Sequence, residues 1–253
     1  MRILKQANRP GDLLAALYSR QVLALIRNQV DIGVSILQEG LSLSRASKDN
    51  YWEGHFLVWS GISHIVRNNL ASGRPFAEAG LAIFEKLEDH WGLMRVASVL
   101  GDIEESQGHN QQSKAYFQQS LSISERFGHK FTIAANSTHL GRISFREGHT
   151  QLAYRHLKTA LQALWEGGYL WATPFPLVCA ARMLAEQNQW VQAVEILGSI
   201  DQHLTTFRRN DQIAHALHEE LKTQLEPQSF AEAWARGQQR DLSTLVVEML
   251  RSF

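Results

Sequence analysis

The feature that most restricts how this chain can fold is a self-similarity with a period of 40 residues. Gly61, Gly101, Gly141 and Ala181 fall at one phase, with Gln21 in the same place one period earlier. Seven residues on come Asn28, Asn68, Gly108, Gly148 and Asn188, residue types that tolerate the left-handed conformation closing a helix. Five further are Gly33, Gly73, Ser113, Ala153 and Ala193, all small, and four beyond those are Leu37, Ala77, Phe117, Leu157 and Leu197. Tyr51, Trp91, Phe131 and Trp171 form an aromatic column ahead of the first small position. A repeat at this spacing means one supersecondary unit stacked on copies of itself. With only 5 prolines and almost no alternating β-branched runs, the unit reads as a pair of helices.

The order small residue, turn, small residue, large apolar residue resembles the tetratricopeptide repeat, in which two antiparallel helices cross closely where side chains are small. Helix axes reach the near end of their 8–10 Å range only when Gly, Ala or Ser lies at the contact. The resemblance implies an all-α fold: a right-handed superhelical solenoid of about five 40-residue hairpins. First helices are predicted near residues 12–28, 51–68, 91–107, 131–147 and 174–188. Second helices are predicted near 31–47, 75–88, 110–127, 150–166 and 190–206, with Pro75, Pro174 and Pro176 at or near helix starts. The aromatic column is expected to cover the seam between neighbouring units.

The period fails after about residue 207. Residues 1–10 are read as an N-terminal extension, 11–207 as the repeats and 208–253 as a helical cap over the last apolar face, which a stacked array needs. Phe207–Asn210 reads as a turn and Asp211–Leu225 as a helix. Two short helices separated by Gly237 follow, with Ser229 and Asp241 as N-caps. The tail, with Phe230, Ala233, Trp234 and Gly237 before an apolar segment from Leu242 to Leu250, resembles the ending of bacterial STAND-type ATPase regulators. Those proteins join DNA-binding and nucleotide-binding domains to a tetratricopeptide array. The resemblance implies a sensing or docking arm of a signalling or transcriptional regulator. No GxxxxGK[ST] loop occurs in this chain, so it carries no phosphate cradle of that geometry.

Composition narrows the classes further. Lys plus Arg and Asp plus Glu number 25 each, so no broad cationic surface offers itself to nucleic acid or to an acidic membrane. The single cysteine, Cys179, excludes a disulfide framework and suits a reducing, cytoplasmic compartment. No apolar run is long enough for a membrane span or a signal peptide. Catalytic motifs are missing: there is no Gly-x-Ser-x-Gly elbow and no HExxH, and the Glu104–Glu105 and Glu219–Glu220 pairs are neighbours pointing apart on helices. His215 and His218 share a helix face, but without a spaced third ligand they read as solvated surface rather than a metal site. Trp59 and Trp234 read as packing residues.

These observations lead to the expectation of a non-catalytic module, without cofactor or metal, that binds a partner protein, a peptide (possibly acidic) or an effector. A structural spacer and, less favoured, an enzyme remain the alternatives. First helices normally line the concave face of such arrays. One column there is Val22, Ile62, Asp102, Arg142 and Arg182; neighbouring columns add Ile26, Val66, Glu105 and Arg146. The candidate groove is therefore apolar at Val22, Ile26, Ile62 and Val66, acidic at Asp102 and Glu105, and cationic at Arg142, Arg146 and Arg182. Three guanidiniums that converge can grip a carboxylate or phosphate through their planar forks. The competing expectation is that these arginines pair with Glu186 and Glu147, or with Asp102 and Glu105, in a solvated network.

Overall fold

The computed structural model describes residues 10–27, 29–67, 69–206 and 208–252, and among them only helices and turns occur. In chain order the α-helices are α1 (Pro10–Ile26), α2 (Val30–Ala46), α3 (Asn50–Val66), α4 (Leu70–Leu87), α5 (His90–Ser106), α6 (Asn110–Arg126) and α7 (Lys130–Arg146). They continue as α8 (Thr150–Glu166), α9 (Pro174–Glu186), α10 (Trp190–Ile200), α11 (Arg208–Gln224), α12 (Pro227–Gln239) and α13 (Leu242–Ser252). Short 3-10 turns occupy Leu170–Ala172 and Asp201–Thr206. Consecutive helices pack as antiparallel pairs, the arrangement of a helical-hairpin array. Most helices are 17 residues long, about 25 Å at the α-helical rise.

The turns explain that uniform length. Gly108, Gly148 and Asn188 hold positive φ, as their residue types predict; Asn28 and Asn68 lie outside the described residues. Lys48, Glu88, Gly128 and Gly168 hold positive φ as well, so from Glu88 to Asn188 the left-handed residue recurs every 20 positions, closing second helices as well as first. At Gly108 the amide donates to Glu105 O and the next amide reaches back to Glu104 O at 2.9 Å, a double bond pattern that satisfies the last carbonyls of the helix. Asp49, Asp89 and Asp241 cap the following helices, each accepting a backbone amide from the first turn.

Within the unit Met1–Ile123, two cores form: Leu14, Leu17, Leu37, Phe56 and Trp59 in one, Val58, Ala77, Phe84, Val96 and Ile103 in the other. Within the unit Ser124–Phe253, one core runs from Ala153 and Leu157 through α9 and α10 to Phe230, Leu245 and Met249 of the terminal helices. Helix crossings are tight where the small columns predict. A Cβ on Gly61 would lie 3.2 Å from Gly73 O, and one on Gly141 would lie 3.2 Å from Ala153 O. The aromatic column is only partly packed: Tyr51, Trp91 and Trp171 are exposed, while Phe131 stacks on Trp171 at 5.7 Å.

Five local expectations are corrected. Pro75 lies inside α4, not at its start, because the helix begins at Leu70; the helix tolerates the loss of one amide donor near its first turn. The segment after Phe207 is already helical from Arg208, and the second helix of the fifth pair ends at Ile200, giving way to 3-10 geometry. Ser229 is no cap, since α12 starts at Pro227, where a missing amide costs nothing. Gly237 does not separate two helices. It sits buried within α12, which runs on to Gln239, because α12 presses against α10 there: a Cβ on Gly198 would lie 2.7 Å from Trp234 O, and one on Gly237 would run into Glu195 O. Around this contact Ser199 Oγ donates to Gly237 O at 3.0 Å, and Glu195 accepts from Arg236 Nε at 2.8 Å. Gly237→Ala is therefore expected to lower stability by about 1–3 kcal/mol, the usual cost of overpacking. Urea denaturation would measure it, and an unchanged midpoint would rule out the close α10–α12 crossing.

Candidate functional site

In the unit Ser124–Phe253, Arg142 and Arg146 occupy the last turns of α7, one helical turn apart, and Arg182 stands on α9. All three line one cavity of about 210 Å³ between α7, α9 and α11. Its other walls are Phe145 from α7; Phe175, Val178, Cys179, Met183 and Glu186 from α9; and Ile213 from α11. The residues reach one place for periodic reasons. Positions 142 and 182 are one 40-residue period apart, so they take the same face of successive first helices, and 146 follows 142 by one turn. Arg142 Nη2 lies 3.0 Å from His139 Nδ1; a guanidinium can only donate, so this nitrogen accepts and the imidazole carries its proton on Nε2. His139 is itself held edge-on by Phe175 at 5.1 Å. Arg182 Nη1 donates to Glu220 of α11 at 2.5 Å, across the side chains' partly exposed ends. Cys179 is buried.

The remaining candidate residues belong to the unit Met1–Ile123. Val22 and Ile62 are half-buried and pack on its first core, so they contribute to the hydrophobic interior. Ile26 and Val66 have side chains outside the described residues. Asp102 is half-buried and Glu105 is buried, both on α5. Glu104, their neighbour, points elsewhere: it accepts from Arg74 Nη2 at 2.6 Å and pairs with His109 Nδ1 at 2.7 Å. Burial alone would raise the Glu104 carboxyl, but hydrogen bonds from Arg74 and His109, with their charges, outweigh it and hold it below the usual carboxylate range.

One constellation in this unit has no counterpart among the sequence expectations. His55 on α3 is 2% exposed, walled by Tyr51 at 4.5 Å, Phe84 at 4.9 Å, Tyr18 at 5.7 Å and Trp52 at 5.9 Å. Among the described residues neither ring nitrogen has a hydrogen-bond partner; Asp89 Oδ2 stands 3.9 Å from Nε2, too far. Gln21 Oε1, Trp59 Nε1 and Arg95 Nε are likewise buried without partners, and the Arg95 guanidinium lies over the Trp59 and Trp91 rings at 5.2 and 5.8 Å. The signal was present in the repeat: the column Ala15, His55, Arg95, Ala135, Phe175 is not uniform and carries two large polar residues, His55 and Arg95, in successive periods.

Burial, then the positive charge of Arg95, pushes the His55 imidazole down from 6.5 to about 4. Unfolded chain therefore binds a proton between these values that the native state refuses. Stability is complete above pH 6.5 and falls as pH drops toward 4, by about 3 kcal/mol in all. His55→Phe removes this share, so its stability relative to the wild type should rise steadily between pH 7 and pH 4.5 in urea titrations. A difference independent of pH would show that His55 is not held neutral.

In the unit Ser124–Phe253, His215, His218 and Glu219 bring one ligand atom each within 4.8 Å of one another. Glu219 is engaged by Lys222 at 3.0 Å, and His218 is not simply solvated, as expected from sequence. It packs against Trp234 at 4.6 Å and Phe230 at 5.2 Å, because α11 lies beside the terminal helices. No helix among the described residues is long and apolar enough to cross a membrane. No protein-family model matches the chain, and comparison with curated proteins finds no match.

Proposed function

We propose that this chain is a non-catalytic recognition module of the tetratricopeptide type, a right-handed superhelical array serving as the cytoplasmic sensing arm of a signalling or transcriptional regulator. Sequential antiparallel helix pairs at a 40-residue period support that kinship. The reading rests above all on the cavity at Arg142, Arg146 and Arg182. Three guanidiniums at the rim of a partly apolar hollow form a receptor for an anionic group on a partner protein, peptide or effector. Guanidinium–carboxylate bonds formed away from bulk water are the strong kind, and their planar fork adds orientation. A spacer that only holds other domains apart would have no use for such a cavity.

The test is calorimetric titration of the full chain with an acidic hexapeptide. Affinity is expected to fall as salt rises from about 20 to about 200 mM, since the Debye length then shrinks to less than half. In the Arg142→Ala, Arg182→Ala double variant it is expected to fall at least about tenfold, or 1.4 kcal/mol. Binding indifferent to both salt and the double variant would remove the cavity from the recognition surface, and no binding by any acidic probe would favour the spacer.

A further inference from the structure

The histidine pair on α11 sits outside the repeat columns and outside the cavity. We infer that His215, His218 and Glu219 form a binding site for a divalent transition ion of the nickel, copper and zinc group. The inference does not rest on the recognition reading above. Spacing brings the donors together: position 218 follows 215 by three residues and 219 by four, so both lie one helical turn beyond His215 on the same face. One ligand atom from each residue lies within 4.8 Å of the others. The third ligand that the histidine pair needs is thus the residue next to one of them.

The lone pairs that an ion uses are free. His215 is exposed and makes no hydrogen bond among the described residues. His218 Nδ1 lies 3.0 Å from Glu219 Oε1; a carboxylate only accepts, so Nδ1 carries the proton and Nε2 keeps its lone pair. Lys222 Nζ donates to the same carboxylate oxygen at 3.0 Å, which leaves Oε2 of Glu219 open. Glu220, the next carboxylate along, accepts from Arg182 Nη1 at 2.5 Å and takes no part. The Lys222 ammonium opposes an incoming cation. It is 47% exposed, however, and an exposed pair of this kind is held weakly enough to open into water.

His218 is the fixed member of the set. Its imidazole packs edge-on against Trp234 at 4.6 Å and Phe230 at 5.2 Å, two rings of α12 that stack on each other. The His215 ring lies nearly parallel to it, with centres 6.4 Å apart and planes at 20°. An ion about 2.1 Å from each donor in a tetrahedron spaces the donors about 3.4 Å apart. His215 and Glu219 are both exposed, so rotation about their own side-chain bonds reaches that spacing without moving the helix. Two imidazole nitrogens and one carboxylate oxygen suit nickel, copper and zinc, whereas calcium and magnesium ask for oxygen ligands. Three protein ligands leave the remaining position to water.

The contact with Trp234 supplies a reporter. Nickel, zinc and magnesium chlorides are each titrated calorimetrically into the untagged full chain, and tryptophan emission is followed with nickel, a paramagnetic ion that quenches a nearby indole. Nickel and zinc are expected to bind and magnesium to give no heat. His215→Ala and Glu219→Gln alter exposed side chains outside the core, and circular dichroism checks that their helices persist. Each is expected to weaken nickel at least about tenfold, since loss of even an outer partner of a metal ligand costs that much. Trp234→Phe is expected to keep most of the nickel affinity and to lose most of the quenching. Absence of nickel and zinc binding overturns the inference, as does magnesium bound as tightly as nickel. Nickel binding that either substitution leaves unweakened, or quenching that persists undiminished in Trp234→Phe, puts the ion elsewhere on the chain and overturns it too.

Discussion

Everything in the fold hangs on how closely two helix backbones approach within each pair. At the Gly61–Gly73 crossing each glycine would place a Cβ 3.1–3.2 Å from the other's carbonyl oxygen, and Gly141 meets Ala153 O at the same separation. Contacts this short leave no room for a larger side chain on either helix at these two crossings, whereas the first pair, which carries Gln21 at the same phase, has ordinary space over Gly33, where a Cβ would lie 3.8 Å from Ala24 Cβ. They also put large residues where the helices diverge: Phe84 fills the space over Gly54 and Gly92, and Phe117 that over Gly101. Small and large positions alternate because a crossing is a wedge, narrow at one end and wide at the other. Close packing then converts a one-residue change at the narrow end into a backbone shift, since interiors have almost no slack.

The same wedge recurs at the end of the chain in a form the repeat columns do not describe. Gly198 of α10 and Gly237 of α12 are separated by 39 positions and belong to no common column, yet their backbones nearly touch. A glycine in a helix costs about 1 kcal/mol against alanine, so its presence inside α12 needs a reason, and the α10 backbone supplies it. From sequence, Gly237 reads as a helix breaker. The error comes from judging a glycine by local propensity when its cause is a partner brought in by tertiary packing.

Much of the rest was legible because it is periodic. Helix positions follow from the recurrence of small residues, and the placement of Arg142, Arg146 and Arg182 on one cavity follows from the 40-residue and one-turn spacings. Less was legible where the constraint is not written in residue type. Lys48 and Glu88 adopt the left-handed conformation that Gly128 and Gly168 adopt at the same phase in later periods, so the turn is imposed by the helices it joins and glycine only eases it. His55 escaped because its neighbourhood is aromatic and comes from three helices, α1, α3 and α4, which no single helical stripe displays.

A single register on the first helices shows how this architecture separates holding from doing. Positions 19, 59, 99, 139 and 179 are one period apart and carry Ser, Trp, Val, His and Cys. They lie two residues before the small position at the crossing, so they point away from the narrow end and are not fixed by it. Trp59 carries the Arg95 guanidinium, His139 holds Arg142 in place, and Cys179 forms a wall of the cavity. Val99 merely fills the core. One register of the second helices shows no such spread: Leu37, Ala77, Phe117, Leu157 and Leu197 are buried and apolar in every period. Both helices of each pair supply the core, Leu14, Phe56, Leu100 and Leu140 from first helices as well as Phe117 and Leu157 from second ones, and chemical variety accumulates at this one register of the first helices. Polar groups on the first helices cost stability when buried without partners, as His55 does, and that cost is met by the crossings on either side of it.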